Sequence, residues 1–165
     1  MNIRQPQKGE GAALLELMIA LDHETSFMML EPGERQTSAS EQEGIIESFC
    51  NSDSKVMFVA EDPEGLTGFV VGVGQAARRK RHSMYCVIGV RQRATGRGLG
   101  ALLMTRLEAW ADEHEFTRLE LTVMAHNERA QRLYLSRGFE IEGTKRNSMR
   151  IDGAYVDELY MAKVW

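Results

Sequence analysis

The run Arg93-Ala94-Thr95-Gly96-Arg97-Gly98-Leu99-Gly100 directly follows an apolar stretch, Tyr85 to Val90, and opens a helical pattern from Ala101 to Leu107. A strand that empties through glycines into a helix start presents unpaired backbone N–H groups at the positive end of a helix dipole. Such an arrangement binds anions, above all phosphate and pyrophosphate. Glycine suits the turn because a Cβ would hold the anion away from the amides. Arg91, Arg93 and Arg97 add positive charge around it. The chemistry implied is capture of a phosphorylated cofactor.

Two familiar phosphate motifs fit poorly. Gly96 to Ala101 formally satisfies G-x-G-x-x-G/A, and Glu120 lies about twenty residues onward, where a dinucleotide fold places its acidic ribose ligand. That fingerprint normally opens a series of βαβ units, yet here an antiparallel signal precedes it and one clear βαβ unit follows. Glu120 also falls inside a strand pattern rather than at its end. A Walker loop is excluded because no Gly-Lys-Ser/Thr follows the glycines.

Arg93-x-x-Gly96-x-Gly98, after a strand ending Ile88-Gly89-Val90, resembles the acyl-CoA cradle of the GNAT superfamily of N-acetyltransferases. A second segment agrees. Asn127-Glu128-Arg129-Ala130-Gln131-Arg132-Leu133-Tyr134-Leu135-Ser136-Arg137-Gly138-Phe139 matches that superfamily's N-x-x-A-x-x-L-Y-x-x-x-G-F pattern without a departure. The two motifs stand in the right order, separated by one helix and one strand. The C-terminal stretch Gly143-Thr144 through Asp157-Glu158 looks like members grouped with ribosomal-protein and polyamine acetyltransferases. Subfamily likeness of this kind does not set a substrate.

The resemblance implies an acetyl-CoA-dependent N-acetyltransferase acting on a primary amine, with a non-catalytic acyl-CoA-binding module as the alternative. In such a site, backbone amides from about Ala94 to Leu99, with Arg93, Thr95, Gly96, Arg97, Gly98 and Gly100 around them, would hold the pyrophosphate. Ile88, Gly89 and Val90 would pair with the pantetheine arm as though it were a further strand. Asn127 would bond the cofactor or nearby backbone while also capping its helix. Tyr134 would be the general acid, because acyl transfer from a thioester to an amine expels a thiolate that a nearby phenol can protonate. Some superfamily members carry a glutamate base five residues before the motif asparagine; here that position is Thr122, which cannot serve. Glu120 on the same strand face, His82 at the start of the cradle strand, and Glu24 and Glu31 in an adjoining loop are the other candidates for the acceptor side. The acceptor is a small-molecule or peptide amine, and a homodimer is frequent in the superfamily.

The elements that must position these residues follow from hydrophobic period and turn chemistry. Leu14, Leu15, Leu17, Met18 and Leu21 predict a helix over about residues 9–22, followed by a long loop to Ala39. Ser40 and Glu43 form a capping-box pattern for a helix through about Cys50. Strands are expected at 56–60, 66–73, 83–90 and 119–123, and at about 139–150 and 155–163, with Met1 to Arg4 as a short first strand. Helices are expected at 99–114 and 128–137. Asp62-Pro63-Glu64-Gly65 and Asp152-Gly153 read as turns, the latter a hairpin signal. The expected class is α+β: one domain over residues 1–165, with a mixed central sheet of about seven strands flanked by about four helices, acyl-CoA N-acyltransferase-like in architecture.

Bulk properties agree. The 165 residues can bury a core without staples, and nothing approaches a membrane-spanning run. The net charge of -4 argues against nucleic acid as a partner, and the basic block Arg78-Arg79-Lys80-Arg81 reads as a solvated hairpin loop. Cys50 and Cys86 have no partner spacing and read as small core residues in a reduced, cytoplasmic setting. The four dispersed histidines offer no metal-ligand pattern.

Overall fold

The computed structural model describes residues 1–165. In chain order the elements are β1 (Asn2–Arg4), α1 (Gly11–Glu24), α2 (Ala39–Phe49), β2 (Lys55–Asp62), β3 (Gly65–Gly74), β4 (Ser83–Val90), α3 (Leu99–Glu113), β5 (Arg118–Met124), α4 (Glu128–Ser136), β6 (Glu140–Ile151) and β7 (Ala154–Val164). The strands form one seven-stranded sheet, ordered β1-β2-β3-β4-β5-β7-β6. All neighbours are antiparallel except β4 and β5, which run parallel because α3 carries the chain back between them. This is the mixed sheet with four helices that the element order predicts.

Strand alternation divides the sheet into two differently covered faces. On one face, Val70, Met84, Cys86, Leu119, Leu121 and Val123 join Leu103, Met104 and Leu107 of α3 and Tyr134 of α4 in the larger core. On the other, Met57, Val59 and Phe69 pack under Leu14, Leu17 and Leu21 of α1 and Ile46 of α2. These two helices lie over β2 and β3, and α1 reaches β4 at its Gly89 end, where Leu21 packs. Over β4, β5 and β7 the same face leaves Tyr85, Val87 and Tyr160 exposed and Thr122 half-buried.

Two local expectations need correction. The serine cap of α2 is Ser38, not Ser40: Ser38 Oγ accepts from the Glu41 amide at 3.1 Å, with the backbone extended at Ser38. Ser38-x-x-Glu41 is the same pattern two residues earlier, and it starts the helix sooner. Glu43 is thereby released to act elsewhere. Its carboxylate accepts from the amides of Gly9 at 2.6 Å and Gly11 at 2.8 Å, and so caps α1 from a different helix. Cys50 is also no core residue: it lies just past the end of α2 and is exposed, whereas Cys86 is buried. The Arg78–Lys80 segment is an exposed single 3-10 turn between β3 and β4.

Candidate active site

The site is built around a fork in the sheet. β4 pairs with β3 along its whole length, to Val90 opposite Gly68, and β5 pairs with β7 as far as Met124 opposite Glu158. Between β4 and β5, however, pairing is confined to Ser83–Tyr85 against Arg118–Glu120. From Cys86 onward the strands diverge, and the β4 edge that includes Ile88, Gly89 and Val90 has no neighbouring strand. Such an edge offers its backbone N–H and C=O groups to any extended amide-bearing partner. A glycine is required at position 89 by packing: a Cβ there would sit 2.6 Å from the Phe69 ring and 3.0 Å from Leu21 of α1.

At its end β4 runs through a 3-10 turn, Gln92–Ala94, into the glycine turn and α3. Gly96 and Gly98 adopt φ of 79° and 75°, the left-handed region where glycine carries no steric penalty. The amides of Gly96, Arg97, Gly98, Leu99, Gly100 and Ala101 donate to no acceptor within the protein. Six free donors at a helix start form a concentrated anion site. A Cβ at Gly98 would enter open space, so that space is available to a group approaching the amides. Buried Ala94 and Leu99 anchor the turn from beneath. Gly100 serves packing instead. A Cβ there would lie 3.0 Å from Leu133 of α4, so this glycine lets the two helices close together.

The surrounding arginines divide into two groups. Arg91 is bound to Glu24, and Arg93 to Asp62 and Glu64 of the β2–β3 turn. Only Arg97 of the three stands on the turn without an acidic partner. Arg129, which sequence reasoning missed, joins it, its Nη2 lying 3.9 Å from where a Gly96 Cβ would be. Its signal is a cation in the first turn of α4, but only the packing of α4 beside the glycine turn brings it there.

Tyr134 is 6% exposed, and its ring packs against Phe139 with centroids 5.7 Å apart. The hydroxyl has no hydrogen-bond partner within the protein, yet it is not among the sealed, unsatisfied polar atoms. Burial pushes the phenol well above its ordinary pKa, with smaller contributions from neighbouring Cys86 and Tyr85, the residues at the apex of the fork. The group therefore carries its proton throughout the neutral range. Asn127 caps α4, its Oδ1 accepting from the Ala130 amide at 3.2 Å, which leaves its amide nitrogen free to donate.

The four acceptor-side candidates are separated. Glu24 accepts from Arg91 Nη2 at 2.8 Å and Nε at 3.0 Å, and from the Gln92 amide at 2.9 Å. Burial alone would raise its carboxyl pKa, but the Gln92 amide and Arg91 outweigh that and hold it below the usual range. It clasps α1 to the end of β4. Glu31 is exposed in the following loop. His82 is exposed at the closed end of the fork, where its carbonyl accepts from the amides of Thr117 and Arg118. Roughly 20 Å of strand separate it from Ile88. Glu120 lies on the open face, bonded by Arg118 Nε at 3.0 Å. Nearby, the Tyr85 hydroxyl is 3.0 Å from Thr122 Oγ1. Beyond the α1 clasp, Phe27 reaches the β5–α4 turn and meets His126 with ring centroids 5.0 Å apart. The loop after α1 thus spans the open end of the fork.

Comparison with known proteins adds three kinds of finding. Residues 12–139 match the model of the acetyltransferase (GNAT) family. An L-amino acid N-acetyltransferase, AaaT of Escherichia coli strain K12, is 37% identical over 91 residues, 54% of this chain and 56% of that protein. The match therefore spans a little over half the length of this curated relative. Among solved structures, a GNAT-family acetyltransferase from Streptococcus pneumoniae superposes with a TM-score of 0.95 at 28% identity, covering 99% of both chains. A ribosomal-protein-alanine N-acetyltransferase from Brucella melitensis gives 0.87 at 25% identity over 100% of both. A phosphinothricin acetyltransferase from Sinorhizobium meliloti, in complex with AcCoA, gives 0.85 at 18% identity, covering 99% of this chain and 87% of that one; the likeness there is one of fold.

Proposed function

The chain belongs to the acetyltransferase (GNAT) family, and on that footing we propose that it is an acetyl-CoA-dependent N-acetyltransferase that modifies a primary amine. The observation that carries the reading is the row of six free amides from Gly96 to Ala101, set at the open end of the β4–β5 fork. A diphosphate group fits it: the donors converge from one turn, the space a Gly98 side chain would fill is open, and Arg97 and Arg129 stand beside it without acidic partners. The unpaired edge of β4 at Ile88–Val90 fits an extended arm containing amide groups, which would lie in the fork as a short extra strand. Acetyl-CoA supplies an acyl group already activated as a thioester.

Tyr134 supplies the proton. Its hydroxyl is uncommitted within the protein, near the fork apex, and burial keeps it protonated, so that it holds a proton to give as the thiolate departs. Asn127 supplies a free amide N–H from the first residue of the α4 cap. The amine acceptor enters from the opposite face, over Tyr85, Val87, Thr122 and Tyr160, which neither α1 nor α2 covers. Acid and acceptor thus meet across the gap between two strands. The likeness to an amino-acid and a ribosomal-protein acetyltransferase supports an amine acceptor without choosing between a free amino acid and a protein terminus.

Calorimetry with CoA, acetyl-CoA, NAD and ATP, followed by thiol release with a panel of amines, tests the reading. Selective binding of CoA and acetyl-CoA with amine-dependent thiol release is expected. Binding of acetyl-CoA without thiol release for any amine would indicate a non-catalytic acyl-CoA module. NAD as the preferred ligand would overturn the assignment.

A further inference from the structure

On the acceptor face, beside the fork apex, lies a cavity of about 360 Å³ that neither the cofactor cradle nor the proton donor uses. Leu121 and Met161 form its floor, Tyr85 and Tyr160 its walls, and Arg118, Glu120 and Glu142 its charged side. Glu142 reaches it through a backbone irregularity. The register of β6 against β7 slips between Ile141, opposite Met161, and Gly143, opposite Tyr160. Glu142 is the extra residue of that bulge, and bulges re-aim a side chain that regular pleating would place elsewhere. Here the bulged residue reaches the guanidinium of Arg118, which donates to it from Nη2 at 2.6 Å and Nη1 at 3.1 Å.

The charge of the cavity does not balance. Arg118 is shared between Glu142, through both terminal nitrogens, and Glu120, through Nε at 3.0 Å. One guanidinium faces two carboxylates, so one negative charge is uncompensated. Arg118 holds the Glu142 carboxyl below its usual range, so that charge persists at neutral pH. The phenol walls favour the same sign of guest, since aromatic faces attract cations. A guest carboxylate would meet Glu120 and Glu142 and find Arg118 already engaged.

We propose that this cavity is the distal acceptor subsite, and that Glu142 makes it select amines carrying a second cationic group. The inference rests on the acetyltransferase reading for the position of the reacting nitrogen. That nitrogen lies over the β4 edge two or three residues past Tyr85, so the two cations are separated by roughly 7–10 Å. The second cation is an ammonium or guanidinium, borne either by a free diamine or by a basic residue of a peptide.

The test uses two matched pairs, 1,5-diaminopentane with pentylamine, and an alanyl-arginine amide with alanyl-alanine amide. Each is titrated calorimetrically into CoA-saturated protein, and thiol release is measured with acetyl-CoA. The dicationic member of one pair is expected to bind at least about tenfold tighter, and the pair that shows this identifies the source of the cation. Glu142→Gln should erase the preference. Arg118→Gln removes the compensating charge and should widen it, a change that damage to the fold does not produce. Equal affinities within both pairs, or a preference that survives Glu142→Gln, would overturn the proposal. A Glu142-dependent preference without thiol release from any amine would uphold the subsite while removing the acetyl-transfer reading.

Discussion

The Tyr85 hydroxyl lies 3.0 Å from Thr122 Oγ1, a side-chain bridge between β4 and β5 at the point where their backbone pairing stops. It marks the apex of the fork. On one side of the sheet at this level stands Tyr134, whose electrostatic neighbours are Cys86 and Tyr85. On the other side is the open face that exposes Tyr85, Val87 and Tyr160. In the proposed mechanism the proton donor and the entering amine stand on opposite sides of a gap that an extended cofactor arm would thread.

The glycine turn predicts separable effects on folding and binding. A side chain at Gly98, held at φ 75°, adopts a left-handed conformation at a cost of about 1–2 kcal/mol. Gly98→Val should therefore lose that much stability and, in addition, lose acetyl-CoA affinity by well over an order of magnitude. Gly153→Val, at φ 81° in the β6–β7 turn, should suffer comparable strain with affinity intact. Calorimetry beside thermal melts checks both. Equal acetyl-CoA affinities in the two variants would remove the turn from the binding site.

The Glu24 clasp predicts part of the acid sensitivity. Its folded pKa lies below the ordinary value, so the unfolded chain binds more protons as the pH falls. The stability it contributes is present above about pH 4.3, the unfolded value, and is lost as pH drops through the folded pKa. Glu10 behaves likewise, held low chiefly by its bond to Arg4. Urea midpoints between about pH 2.5 and 6 should fall more steeply for the wild type than for Glu24→Gln. Parallel curves would show that the clasp contributes nothing to the acid limb.

Asp22 and Arg35 tie the loop after α1 to the helix. Asp22, 2% exposed, accepts from Arg35 Nε at 2.7 Å and Nη2 at 3.0 Å. Removing one partner leaves the other charge buried, which costs about 3–5 kcal/mol. Arg35→Leu should then lower Tm by roughly 6 °C or more in a chain of this size. It should also raise the acceptor KM more than it changes acetyl-CoA affinity, because this loop carries Phe27 to His126. A change of less than about 2 °C would show that the pair is solvated and dispensable.

Much of this was legible in the chain because it is local. The glycine turn, the Asn127 cap and the Asp152-Gly153 hairpin, with φ of 50° and 81°, are each determined by a few adjacent residues. The fork is not of that kind. Nothing in Tyr85 to Val90 or Leu119 to Val123 says that pairing will stop after three residues, since it depends on how two strands separated by α3 are packed. Charge partners were hidden for the same reason. Arg91 and Arg93 read as part of the anion cradle, yet Glu24 and Asp62 claim them from 67 and 31 residues away. Glu142 belongs to no motif in the sequence. A bulge in the pairing of β6 with β7 turns it into the cavity.

The most direct test of the proposed mechanism is the turnover of Tyr134→Phe, measured with a good amine acceptor alongside Tm and acetyl-CoA affinity. The ring keeps its packing against Phe139, and the hydroxyl it loses has no partner within the protein, so stability and cofactor affinity should hold. Loss of the general acid predicts a kcat lower by ~100- to 10,000-fold. Near-wild-type turnover in a folded, acetyl-CoA-binding Tyr134→Phe protein would contradict the mechanism and leave the thiolate to be protonated by water.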